Sequence, residues 1–75
     1  MNKVRRKELG VLLNDIESAK VELQLILDEE EIYYDSMPEN LQGSYRGNES
    51  AEAIDQMDAA ISSLDDAISA ITSII

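Results

Sequence analysis

Carboxylates are the only abundant reactive groups in this 75-residue chain, which has sixteen acidic residues, no histidine and no cysteine. Asp28, Glu29, Glu30 and Glu31 form a run with Asp35 one turn further on, and Glu49, Glu52, Asp55 and Asp58 recur every three residues. Residues three apart share a helix face. Asp28/Glu31 and Glu49/Glu52 therefore each offer paired oxygens of the kind that hard cations such as Mg²⁺ prefer. Such pairs arise by chance in a chain this acidic, and neither a metal site nor a cofactor is expected from them. The missing histidine and cysteine exclude a Ser–His–Asp or Cys–His nucleophile, a thiolate–imidazole zinc site and Glu-x-x-His di-iron ligation. The segment Gly43-Ser44-Tyr45-Arg46-Gly47 is not a phosphate-cradling loop. No catalytic residue is assigned, and the chain is read as non-catalytic.

A binding chemistry is easier to find. All three tyrosines (Tyr33, Tyr34, Tyr45) and Arg46 gather about one polar segment that also holds Asn40, Gln42, Ser44 and Asn48. Tyrosine and arginine are enriched in binding hot spots. Tyrosine faces can also stack on a nucleobase while arginine pairs with a phosphate. These four residues and Glu30 are the expected ligand or partner site. The plainer alternative is a packed loop, with Leu41 and Tyr45 as plugs. Glu30 interrupts an apolar heptad seam, so burial would oblige it to find a partner. The candidates are Lys20 or Arg46 of another subunit, a Tyr33 or Tyr45 hydroxyl, or backbone N–H groups at the start of the second helix. If the seam opens there, water serves.

The elements that must position these residues are two helices. Ile54, Met57, Ile61, Leu64, Ile68, Ile71 and Ile75 are spaced alternately three and four apart, which keeps one apolar stripe on one side of a helix and demands a facing helix. A column of Ala53, Ala60, Ala67 and Ile74 lies beside it and allows close backbone approach. The first helix carries Leu9, Leu12, Ile16, Ala19, Leu23, Ile26, Glu30, Tyr33 and Met37 at the same spacing, with Leu13, Lys20, Leu27 and Tyr34 adjacent. Pro38 must end it. The expectation is helix 1 over about 3–36, a loop at 37–48 capped by Asn48 or Ser50, and helix 2 over about 49–75. One connection between two long helices gives an antiparallel hairpin.

Such a hairpin is too small to bury a sizeable core, and without cysteine or a metal the remaining route to stability is a partner subunit. Val4, Val11, Leu25 and Ile32 share a column on the far side of helix 1, with Val21 close by, and a column of exposed aliphatics is better explained by an interface than by chance. The expected fold class is therefore all-α: a two-helix hairpin in a homo-oligomeric bundle, a four-helix dimer at minimum. Its interface residues would be these five together with Ile54, Met57, Ile61, Leu64, Ile68, Ile71 and Ile75.

The net charge is −10, which repels nucleic acid and anionic membrane over most of the surface. Four of the six basic residues, Lys3, Arg5, Arg6 and Lys7, open the chain. In a hairpin they would neutralise the far end of helix 2, its dipole, the terminal carboxylate and Asp65 or Asp66. No apolar run of signal-peptide or membrane-span length follows them, so a cytoplasmic protein is expected.

The segment Met37-Pro-Glu-Asn-Leu-Gln42, followed by Ser44-x-Arg-Gly47 and the acidic Ala/Ile-rich repeat Ala51–Ile71, resembles a group of small phage and prophage helical-hairpin proteins. The turn is the specific part of that likeness. It implies an accessory gene of a virus or mobile element whose product acts by stoichiometric binding in the host cytoplasm. The leading expectation is a self-associating protein that sequesters a nucleotide-like host signal or docks on a host defence protein. A second reading is an acidic nucleic-acid mimic that blocks a DNA-binding protein. A third likens Asp28-x-x-Glu31 and Glu49-x-x-Glu52 to the Mg²⁺ carboxylates of all-helical nucleotide pyrophosphohydrolases.

Overall fold

A computed structural model describes the whole chain, Met1–Ile75. It is all-helical, with α1 over Lys3–Asp35, a single-turn α2 over Glu39–Gln42 and α3 over Tyr45–Ile74. The long helices α1 and α3 pack on each other in a rod 58 × 15 × 13 Å. Its radius of gyration is 17.1 Å, where a compact chain of this length would have about 11 Å. No helix is long and apolar enough to cross a membrane.

Helix α1 starts where Asn2 caps it, its side-chain oxygen accepting from the Arg5 N–H at 2.8 Å, which satisfies one of the free first-turn donors. It ends before Pro38, as the proline requires. The Ser36 N–H and hydroxyl both donate to the Ile32 carbonyl, at 3.0 and 2.7 Å. The Pro38 carbonyl then accepts from the Leu41 and Gln42 N–H groups, at 2.8 and 3.1 Å, and forms α2. Gln42 reaches back to donate to the Tyr34 and Met37 carbonyls, at 3.2 and 3.4 Å.

The second long helix begins earlier than the glycines of the segment imply. Ser44, not Asn48 or Ser50, is its cap, accepting from the Gly47 N–H at 3.5 Å while its hydroxyl donates to the Leu41 carbonyl. Gly47 is inside the helix and buried. A Cβ there would lie 2.0 Å from the Gln42 carbonyl oxygen, so only glycine lets α2 sit on the first turn of α3. The Met-Pro-Glu-Asn-Leu-Gln and Ser-x-Arg-Gly steps thus build the turn itself.

The heptad seam of α3 faces α1. Ile54, Met57, Ile61, Leu64, Ile68 and Ile71 are half-buried along it, the phase continues back to buried Ser50 and Gly47, and Ile75 is exposed. These isoleucines are therefore engaged within the hairpin. On α1 the seam keeps Leu9, Ile16, Leu23, Glu30 and Met37, but its second column is Leu13, Lys20, Leu27 and Tyr34. The column expected there, Leu12, Ala19, Ile26 and Tyr33, is exposed. Two polar contacts show where α3 lies. Ser50 Oγ donates to Glu30 Oε2 at 2.5 Å, and Lys20 Nζ pairs with Asp65. Leu27, between them, is the one buried large side chain, 2% exposed.

Lys20 occupies a seam position because its aliphatic stem covers apolar surface while its ammonium reaches the edge. It makes the one ion pair of the chain. Lys3, Arg5, Arg6 and Lys7 make none, and Asp65, one of the acidic groups expected to face them, is paired with Lys20 instead.

Candidate functional site

The register gives the hairpin two unlike sides. On one, the exposed α1 column Leu12, Ala19, Ile26 and Tyr33 runs beside the α3 column Ala53, Ala60, Ala67 and Ile74, of which Ala60 and Ile74 are exposed. A hollow of about 300 Å³ at the turn end joins the two columns, lined by Glu30, Tyr33, Arg46, Glu49, Ser50 and Ala53. On the other side a wider depression of about 520 Å³ is lined by Glu17, Lys20, Val21, Gln24, Leu25, Asp65 and Ile68, with Val21, Leu25 and Ile68 giving it a largely apolar floor. Gln24 there donates to Asp28 at 3.0 Å. The columns flanking the seam are mainly apolar on the first side, whereas on the second Glu17, Gln24 and Asp65 flank it and the apolar lining comes from Val21, Leu25 and Ile68.

The five residues expected to form the loop-end site divide. Tyr33, Arg46 and Glu30 come together in the hollow. Tyr33 and Arg46 also line an adjoining hollow with Ser36, Met37, Pro38, Leu41 and Ser44. Tyr34 belongs to the seam, half-buried, with its carbonyl held by Gln42. Tyr45 points to solvent, 81% exposed, and plugs nothing. Leu41 is likewise exposed. The partner of Glu30 is the hydroxyl of Ser50, 4% exposed, and none of the groups expected for it. Ser50 and Glu49 were not among the expected site residues. The heptad phase does place Ser50 on the seam, three residues after Gly47 and four before Ile54.

Arg46 makes no ion pair within the chain. Its immediate surroundings are two carboxylates, Glu30 and Glu49, and the Tyr33 ring. The hollow therefore carries net negative charge despite its arginine. Charge along the rod is equally uneven. Between residues 28 and 58 there are ten acidic residues and one arginine, which accounts for nine of the ten net negative charges.

The wider carboxylate patterns take no concerted form. No three carboxylates converge where they could hold a metal ion, so Asp28/Glu31 and Glu49/Glu52 are not brought to face one another. Two exposed acidic rows of four carboxylates run along the rod: Glu8, Asp15, Glu22 and Glu29 at heptad steps, and Glu49, Glu52, Asp55 and Asp58 at three-residue steps. Their pitches are about 10.5 and about 4.5 Å, against one phosphate per roughly 3.4 Å of axis on a DNA strand.

The second apolar column is exposed as its position predicts: Val4, Val11, Val21, Leu25 and Ile32 retain 58–67% of their accessible surface. No protein-family model, curated protein or solved structure matches the chain.

Proposed function

We propose that this protein is a non-catalytic helical hairpin that self-associates and acts by binding other protein surfaces, as an accessory product of a phage or mobile element. The observation that carries the self-association is the scarcity of burial: 3 of 75 residues are buried, and Leu12, Ala19, Ile26 and Tyr33 are exposed in one column along a flank of the hairpin. The accessible area is 5591 Å², where a compact chain of this mass would expose about 4,600 Å². The excess of about 1,000 Å² is of the size that one partner contributes to a stable interface, roughly 800 Å².

Of the two modes of binding considered, docking on a protein is favoured over sequestering a nucleotide-like signal. A nucleotide phosphate entering beside Arg46 would meet Glu30 and Glu49, and a basic group from a protein would be attracted by them. The acidic nucleic-acid mimic calls for two rows of phosphate-like pitch on one face, and only Glu49, Glu52, Asp55 and Asp58 come near that pitch; the pyrophosphohydrolase reading has no convergent carboxylates. Sedimentation velocity and native mass spectrometry over a wide concentration range test the reading. The expected species is a dimer or larger, and Ile26→Glu is expected to yield a helical monomer. A wild-type chain that stays monomeric throughout would overturn it, as would calorimetric titration showing tight nucleotide binding at Arg46.

A further inference from the structure

We infer that the apolar side of the hairpin is covered by a second copy of this chain lying head to tail, so that Arg5 of each copy enters the Glu30–Tyr33–Glu49 hollow of the other. This rests on the self-association proposed above and adds its orientation and the residue that completes the hollow. Charge complementarity selects the occupant. The turn half of the rod is strongly acidic, while Lys3, Arg5, Arg6 and Lys7 at the open end make no ion pair within their own hairpin, Arg5 sharing a shallow hollow with the exposed Glu8. Stacking two hairpins with their turns together would oppose acid to acid and base to base. Reversing one satisfies both ends.

The spacing of the exposed α1 column fits this arrangement. Arg5, Leu12, Ala19, Ile26 and Tyr33 follow one another at seven-residue steps, and the series is symmetric about Ala19. When two α1 helices cross antiparallel about a two-fold axis at Ala19, Leu12 of one copy meets Ile26 of the other, and Arg5 meets Tyr33. The smallest side chain of the column then sits at the axis, where the helices approach most closely. The α3 column contributes Ala53 and Ala60 beside it, and these also permit close packing. An isologous contact of this kind uses the same patch on both copies and closes at two subunits. At the hollow, the guanidinium of the second copy supplies the cation that two carboxylates and one arginine lack. Tyr33 provides a ring face on which it can stack.

The chain has no cysteine, so a single introduced thiol reports on the full-length protein. Asp35→Cys, at the exposed end of α1, is labelled with a nitroxide and the inter-label distance measured by pulsed electron resonance. The expected separation is about 50 Å, set by the rise from Ala19 to residue 35 in each copy. Turns together would give less than about 20 Å, from the spacing of neighbouring helices. That shorter distance overturns the orientation and leaves self-association standing. The absence of any dipolar coupling, with monomeric mass, overturns both. In a second arm, Arg5→Glu is expected to weaken dimerisation at least tenfold, and adding Glu49→Arg to restore it. Far-UV circular dichroism of each variant shows that the hairpin is retained. A double variant no tighter than Arg5→Glu alone removes the hollow as the place where Arg5 binds.

Discussion

The two ends of this hairpin are built on different principles. At the turn end, Leu27, Gly47 and Ser50 are the three buried residues of the chain, Gln42 ties down two carbonyls of the α1 terminus, and Ser44 caps α3. At the open end Leu9 and Ile71 are only half-covered, Ile74 and Ile75 are exposed, and four cations find no partner. A single chain is specified where backbone meets backbone and left unfinished where only heptad packing holds it. The turn, where backbone packs on backbone, fixes which faces of α1 and α3 meet, while the rest of the rod leaves apolar side chains exposed.

That contrast can be broken most severely at Leu27. Leu27→Ala removes the only fully buried large side chain and is expected to cost about 2–5 kcal/mol, the usual range for such a truncation. Thermal melts must be run at one fixed protein concentration, because assembly adds to apparent stability. Gly47→Ala comes next. In an ordinary helix interior this change gains about 1 kcal/mol. Here the new methyl would lie 2.0 Å from a backbone oxygen, so the sign reverses, with an expected loss of about 1–3 kcal/mol. Urea unfolding of the variant against wild type reads that sign directly.

Ser50→Ala sharpens the comparison on a smaller scale. It leaves the half-buried Glu30 carboxylate without its donor and is expected to cost about 1 kcal/mol, since water can reach part of the group. Smallest is Lys20→Ala towards the open end. Its ion pair with Asp65 is between side chains 35% and 52% exposed, and such pairs contribute less than about 1 kcal/mol and weaken with salt. A melt repeated at high salt is expected to reduce the difference between Lys20→Ala and wild type to the share owed to the buried lysine stem, while leaving the Leu27→Ala deficit in place.

Much of this fold was legible in the sequence, and the errors have physical causes. The α3 seam could be read because one stripe alone is apolar there. On α1 two columns, Leu12/Ala19/Ile26/Tyr33 and Leu13/Lys20/Leu27/Tyr34, each complete a three–four spacing with Leu9, Ile16, Leu23 and Glu30. Hydropathy prefers the column without a lysine. The chain buries the other because the close packing of Gly47 on the Gln42 backbone sets the rotation of α3 against α1, with Ser50–Glu30 and Asp65–Lys20 following from it, and a heptad pattern carries no information about that rotation. Gly47 falls within the loop expected at 37–48 because a close backbone approach is invisible before the neighbouring segment is placed. Of the five residues expected at the loop end, Tyr33, Arg46 and Glu30 line one hollow, whereas Tyr34 turns into the seam of α1 and Tyr45 is turned to solvent by the start of α3.

The stacking of Gln42 on Gly47 also has a kinetic meaning. Closing a loop costs more entropy the longer it is, and this contact closes the shortest one in the hairpin. Once it forms, Glu30 and Ser50 are brought within reach, and then Lys20 and Asp65, each step shortening the next search. Folding is expected to run as a zipper from the turn, with transition-state structure concentrated near Gly47 and Leu27. The basic end closes last and reopens most often, so the segment that would reach a neighbouring molecule is the one the chain releases at least cost.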